Sequence, residues 1–330
     1  MVLTATRGEV ARVLAVSDGR AGNARQAQAL ARALAATAVD LELQPAAPWR
    51  WLAPRRLPGD DRAFGAGFSA TLADPPALAV GCGRQAALAT RILRGRGARV
   101  VQVLDPRLPT RHWDLVGAPA HDELRGNNVI TVDGSLHPVD AAWLAAARSA
   151  FPALAELPSP RIALLLGGPS AHADFDAGAF ATMIATAEAM AAREGGSLMV
   201  AASRRTPADV RTALRGHRSR VPTVAWAGDA DGANPYPGML AWADRIACTA
   251  DSVNMLSEAC ATGVPVYVHR PDALRGRPRG FVDQLLADDH ARPFEAGAEA
   301  FEARPLRETA RGAAEVRARL ALDAALPPVR

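Results

Sequence analysis

The segment TADSVNMLSEACATGVP, from Thr249 to Pro265, concentrates side chains able to hold a phosphorylated sugar. Ser252 opens an amphipathic stretch at the N-cap position, where a helix offers unbonded amides and the positive end of its dipole to an anion. Glu258 lies too deep in that helix to complete a capping box with Ser252. A carboxylate about one and a half turns above a helix start is placed to accept hydrogen bonds from ribose hydroxyls. Asp251, Ser252, Met255 and Glu258 are therefore one group of candidate ligand-binding residues. Helical period turns Val253, Leu256 and Cys260 inward and leaves Asn254 and Glu258 facing elsewhere.

Two further loops supply what such a ligand needs. Gly167-Gly168-Pro169-Ser170-Ala171-His172 follows the apolar run Ile162 to Leu166, and a glycine loop opening a helix can cradle a pyrophosphate. Gly167, Gly168 and Ser170 are its candidates, while His172 reads more simply as solvent-facing. In Ser203-Arg204-Arg205-Thr206-Pro207-Ala208-Asp209, the last residues Thr206, Pro207 and Asp209 read as a helix start. That leaves Ser203, Arg204 and Arg205, and arginine suits bidentate phosphate recognition.

The first half has loops of its own. Ser17-Asp18-Gly19-Arg20-Ala21-Gly22-Asn23 has neither the GxGxxG spacing of a dinucleotide loop nor a P-loop lysine. Gly19 and Gly22 let backbone approach a ligand, Asn23 and Gln26 stand at capping-box spacing, and Asp18 has no such structural reason to be there. Gly81-Cys82-Gly83-Arg84-Gln85 opens another helix, and Gln102, Asp105 and Pro106 end another strand. These loops gather Asp18, Arg84 and Asp105 around one crevice, with Asp18 and Asp105 as candidate catalytic bases toward an acceptor hydroxyl. Gly19, Gly22, Asn23, Gly83 and Arg84 are the candidate ligand-binding residues of this half, and no metal site is expected.

The elements that must position these loops alternate short apolar runs with helical periods, the pattern of βα units and a parallel sheet. Strands are expected at Val13–Val16, Leu41–Leu43, Leu78–Val80, Val100–Leu104, Asp114–Val116 and Val129–Val132, with helices at Ala24–Ala35 and Arg84–Leu93. The prolines of FPALAELPSP, residues 151–160, suit a hinge, after which the pattern restarts. Strands then fall at Ile162–Leu166, Leu198–Ala202, Thr223–Trp226, Arg245–Thr249 and Val266–Val268, with a helix from Asp176 to Arg193 stopped by Gly195 and Gly196. The expected fold class is α/β: two Rossmann-like domains, residues 1–155 and 156–330, with parallel sheets facing a central cleft. A closing helix runs from about Leu306 to Leu326.

Composition narrows the function. A chain of 330 residues with 49% hydrophobic and 22% charged residues fills two cores. All 38 cationic positions are arginine, and they are scattered without a basic run, which argues against a nucleic-acid surface. A weak attraction to an anionic membrane or to phosphates is compatible with the net charge of +4. Cys82, Cys248 and Cys260 have no metal-ligand spacing and read as reduced core thiols of a cytoplasmic protein. No apolar run approaches the roughly 18 residues of a membrane span, and no signal-peptide block opens the chain. The expectation is a soluble protein, at most peripheral to the inner face of the membrane.

Taken in order, GRAGN, GCGRQ, LLLGG, SRR and TADSVNMLSEACATGVPVYV resemble the two-domain GT-B glycosyltransferase plan, including the N-acetylglucosaminyltransferase that completes lipid II. The resemblance implies an acceptor-facing glycine loop at Gly19 and Gly22. It also implies a nucleotide-sugar held by Gly167, Gly168, the helix start at Ser252 and a ribose-binding Glu258. The glycosyltransferase loop ends in a histidine where Asn23 stands, so histidine base catalysis does not carry over and Asp18 is its substitute. SDGRAGNARQAQAL, GCGRQAAL, VQVLDPRLP, HDELRGNNVITVDGSLHPV, SRRTP, NPYPGMLAWAD and TADSVNMLSEA together resemble the plant elongated-mitochondria (mitochondrial fission) family and its bacterial relatives, over about residues 12 to 310.

This family resemblance implies a recruiter of a dynamin-like fission protein in the plant member and sugar-nucleotide roles in bacterial ones. The expected function is metal-independent inverting sugar transfer from a UDP- or GDP-linked donor to an envelope or lipid-linked acceptor, with no tightly bound cofactor. Nucleotide-sugar epimerisation or hydrolysis, and a non-catalytic interaction module with a protein partner, are the alternatives.

Overall fold

The computed structural model describes residues 12–322. Strands β1 (Val13–Ser17), β2 (Val39–Glu42), β3 (Leu78–Cys82), β4 (Arg99–Val103), β5 (Leu115–Pro119) and β6 (Val129–Val132) form a parallel sheet in the order β2-β1-β3-β4-β5-β6. Every residue of β1, β3 and β5 is buried, as in a sheet covered on both faces. The helices of this unit's first stretch are α1 (Ala21–Leu34), α2 (Trp49–Leu52), α3 (Gly65–Ala73) and α4 (Arg84–Arg94). On α1 the residues Ala27, Leu30, Ala31 and Leu34 are buried, the apolar stripe read from the sequence.

The second sheet comprises β7 (Arg161–Leu166), β8 (Ser197–Ala202), β9 (Thr223–Trp226), β10 (Arg245–Thr249), β11 (Val266–His269) and β12 (Arg292–Pro293), all parallel, in the order β12-β11-β10-β7-β8-β9. Its helices are α5 (Ala141–Ala150), α6 (Ala177–Glu194), α7 (Ala208–Gly216), α8 (Tyr236–Trp242), α9 (Val253–Cys260) and α10 (Arg277–Ala287). Asp176 caps α6 by accepting from Ala179 N at 2.8 Å, and Gly195 ends it in the left-handed region. The fold class is thus α/β with two Rossmann-like parallel sheets.

The two compact units exchange at Pro138–Val139, ahead of α5, whereas the proline reading set the break near residue 155. Helix α5 packs on α8, with Arg148 Nε donating to Ala241 O at 2.8 Å and its guanidinium over Trp242. The prolines of 151–160 make a short 3-10 turn in the same unit. The closing helix α11 (Glu308–Leu320) belongs to the first unit, so that unit is discontinuous in sequence. It buries Gly312, Ala313, Val316 and Leu320 and packs on α1. Asp133 N donates to Glu308 Oε2 at 3.0 Å, while Thr309 Oγ1 accepts from His137 N and donates to His137 O. The expected extension of this helix to Leu326 passes beyond the described residues. Among the described residues no helix is long and apolar enough to cross a membrane.

Candidate functional site

The ends of β7, β8 and β10, neighbours in the second sheet, are joined by one carboxylate. Gly168 N donates to Asp251 Oδ2 at 3.1 Å, Thr249 Oγ1 donates to Asp251 Oδ1 at 2.5 Å, and Gly167 N donates to Thr249 Oγ1 at 2.8 Å. Arg205 completes the set, its guanidinium 2.5 Å from Asp251 Oδ2. The Asp251 side chain is 1% exposed and that of Arg205 47%. A buried carboxylate thus grips one end of a guanidinium whose remaining donors face water.

These contacts correct two readings. A Cβ on Gly167 would stand 2.0 Å from Asp251 Oδ1, and one on Gly168 2.0 Å from Arg205 O. The glycines admit the protein's own carboxylate and backbone, and their amides are spent on Thr249 and Asp251 rather than held out to a pyrophosphate. Thr206 caps nothing: α7 starts after Pro207 with no side-chain cap, and Thr206 Oγ1 lies against Leu166 O and Gly167 O while accepting from Ser203 N at 2.9 Å. Ser203 Oγ accepts from Arg205 N, Ser170 Oγ accepts from His172 N and Ala173 N, and Arg204 is exposed.

Ser252 caps α9 as the sequence implies, Oγ accepting from Met255 N at 3.4 Å. Val253 and Asn254 stand ahead of this bond, in the first turn of α9. Met255 is buried at 8% exposure. Glu258 does not face a ligand in this structure: it is 2% exposed, and Tyr236 Oη donates to its Oε2 at 2.5 Å. Apolar neighbours on both sides of α9, not period alone, decide that all residues from Met255 to Cys260 are buried.

His269 stands opposite Thr249 in the β10–β11 register, 7% exposed, with Nε2 buried and unbonded. Burial first, then the charge of Arg270, pushes its pKa down to about 4. It lines, with Thr249 and Asp251, a cavity of about 20 Å³, too small for a sugar. A cavity of about 500 Å³ between α6, α7 and β9 shares none of the candidate residues.

In the first unit Asn23 is the joint. Helix α1 begins at Ala21 without a side-chain cap, so the capping-box reading of Asn23 fails. Its Nδ2 instead donates to Asp18 Oδ1 at 3.1 Å, and a Cβ on Gly83 would stand 2.3 Å from that nitrogen. The loops after β1 and β3 therefore meet through Asp18, Asn23 and Gly83. Asp18 also accepts from Arg20 N and is 10% exposed in its side chain. Gly19 lies in the turn after β1 and Gly22 in the first turn of α1. Asp105, after β4, closes its own loop by accepting from Arg107 N at 2.8 Å and pairing with the Arg107 guanidinium. Arg84 and Gln85 both donate to Arg50 O, tying the start of α4 to α2.

A profile of the Mitochondrial fission ELM1 family matches residues 21–320. The chain belongs to this family. Mitochondrial fission protein ELM1 of Arabidopsis thaliana is 31% identical over 279 residues, which cover 75% of this chain and 65% of that relative, just under two thirds of its length. Among solved structures, the UDP-GlcNAc 2-epimerase of Methanocaldococcus jannaschii superposes with a TM-score of 0.53 at 13% identity, covering 94% of this chain and 99% of that one. MnaA of S. aureus with UDP gives 0.50 at 12%, covering 97% and 100%. At such identities the likeness is one of fold, and this ELM1-family chain has a GT-B-like architecture.

Reading the sequence assigned no role to Thr249 or Tyr236 and took Thr206 for part of a helix start. Their signal was weak, since a hydroxyl at a strand end looks like a cap or a turn. Cys82, Cys248 and Cys260 are free and buried, and burial pushes their thiols up, Cys260 to about 12, so they stay protonated core groups. Among the described residues no cluster of three His, Cys, Asp or Glu side chains could hold a metal ion.

Proposed function

We propose that this ELM1-family chain binds a nucleoside-diphosphate sugar at the carboxyl ends of β7, β8 and β10 and transfers the sugar to an acceptor hydroxyl with inversion and without a metal. The observation that carries the reading is Arg205, half exposed yet oriented by the sealed Asp251, in a loop after β8, two strands from the start of α9. Arg204, Arg205 and the first amides of α9 would neutralise the leaving diphosphate, the main electrostatic task of such a transfer. The acceptor oxygen forms the new bond to the anomeric carbon as the bond to diphosphate breaks, and Asp18 or Asp105 is proposed to take the acceptor's proton. Glu258, sealed against Tyr236, takes no part in this reading. A lipid-linked or envelope acceptor fits the same proposal.

Calorimetry with UDP, GDP and their sugars tests it. The wild type is expected to bind one series, and Arg205→Ala to weaken that binding about 10- to 100-fold, the worth of a charge-assisted hydrogen bond. Absence of binding to every nucleotide overturns the reading. The likeness in fold to UDP-GlcNAc 2-epimerase favours a second reading, epimerisation or hydrolysis on the same scaffold; products formed from donor alone, without acceptor, select it. The plant relative's name and the internally satisfied glycine loop favour a third, a non-catalytic module with a protein partner. Under that reading Asp18→Asn leaves the cellular role intact.

A further inference from the structure

Among the described residues three large apolar side chains are exposed: Trp51 at 65%, Val39 at 53% and Leu52 at 41%. Two of them are adjacent, on the four-residue α2. Arginines surround that turn. Arg50 and Arg55 are exposed within and beside it, Arg84 sets its guanidinium on Arg50 O at 3.2 Å, and Arg91 donates to Pro54 O at 2.6 Å. Arg56 is paired with the buried Asp60. The pKa of Arg91 is lowered, by burial first and then by the charge of Arg56.

We infer that α2 is a membrane-docking tip, with Trp51 and Leu52 entering the interface of an anionic lipid bilayer and Arg50, Arg55 and Arg84 resting on its headgroups. An indole belongs at that depth, its ring apolar and its N–H wet. A cation within a Debye length of an anionic leaflet adds about fivefold to partitioning. A protein partner fits less well, because a stable interface covers roughly 800 Å² per side, several times what one tryptophan and one leucine present. The tip adjoins the loop that carries Gly83 and Arg84, so docking would hold the carboxyl edge of the first sheet beside the lipid.

Sedimentation of the full chain with phosphatidylcholine vesicles, with and without phosphatidylglycerol, decides it. The wild type is expected to bind only the anionic vesicles. Trp51→Ala/Leu52→Ala should lower partitioning about tenfold or more, and Arg50→Gln/Arg55→Gln by a similar factor. Val39→Ala, an equally exposed apolar site on β2, should bind like the wild type, and circular dichroism should report the same fold for all. Wild type that ignores anionic vesicles overturns the inference, as does undiminished binding by the Trp51→Ala/Leu52→Ala variant. A change of oligomeric state on Trp51→Ala also overturns it, assigning the tip to a second copy of the chain. Vesicle binding stands apart from the nucleotide-sugar reading, whose calorimetry reports on Arg205 in the other unit.

Discussion

Asp251 shows how one buried charge can organise three loops. Removing it strands the Gly168 amide, the Thr249 hydroxyl and the Arg205 guanidinium together. Asp251→Ala is expected to cost about 2–4 kcal/mol in urea unfolding, with most of the loss from buried donors rather than the half-exposed arginine. Tyr236→Phe tests the sealed glutamate: it should cost about 1–3 kcal/mol while leaving nucleotide affinity unchanged. A matching loss of affinity would show that Glu258 reaches the ligand after all. His269 supplies a pH signature. Its folded pKa lies at about 4, below the ordinary value of 6.5, so between these two pH values the unfolded chain takes up a proton that the native one refuses. Stability should therefore fall as pH drops from about 6.5 to about 4, by at most about 3 kcal/mol, and be level above that window. Urea titrations at both ends of the window should show the loss in wild type and a smaller one in His269→Gln.

At the scale of elements, the strands were the most legible part. Runs such as Ile162 to Leu166, buried throughout, admit little else when glycine or proline follows them. Helix starts were less legible, because Asn23 and Thr206 have cap chemistry and use it on neighbouring loops instead. The loops of the candidate site could be placed after their strands from the sequence, but not the bonds among them. Nothing near Glu258 in sequence announces Tyr236, and nothing near Gly167 announces Asp251; those pairings are made by strand order. The glycine loop yields its own prediction. Gly168→Ala must push against the backbone carbonyl of Arg205, and is expected to lower the unfolding midpoint by an equivalent of about 2 kcal/mol or more. An unchanged midpoint would mean that the loop after β8 yields easily.

At the scale of the whole molecule, the two-sheet plan could be read in the restart of the βα rhythm, whereas the grouping of α5 with the second unit could not. Prolines mark where the backbone bends, and membership in a core depends on partners distant in sequence, as Arg148 finds on Ala241. The same holds for α11, which follows the second unit in sequence and completes the first. A chain stopped after Arg307 should lose amide protection in α1 and β6 but keep it in β7, β8 and β10, as read by hydrogen exchange; uniform loss would show the units to be one cooperative block. During synthesis this arrangement imposes a wait. The ribosome must make residues 139–307, on the order of ten to thirty seconds of translation, before the last helix can cover Ala27, Leu34 and Leu136. Through that interval the nascent first unit presents an uncovered greasy flank, a natural stop for a chaperone.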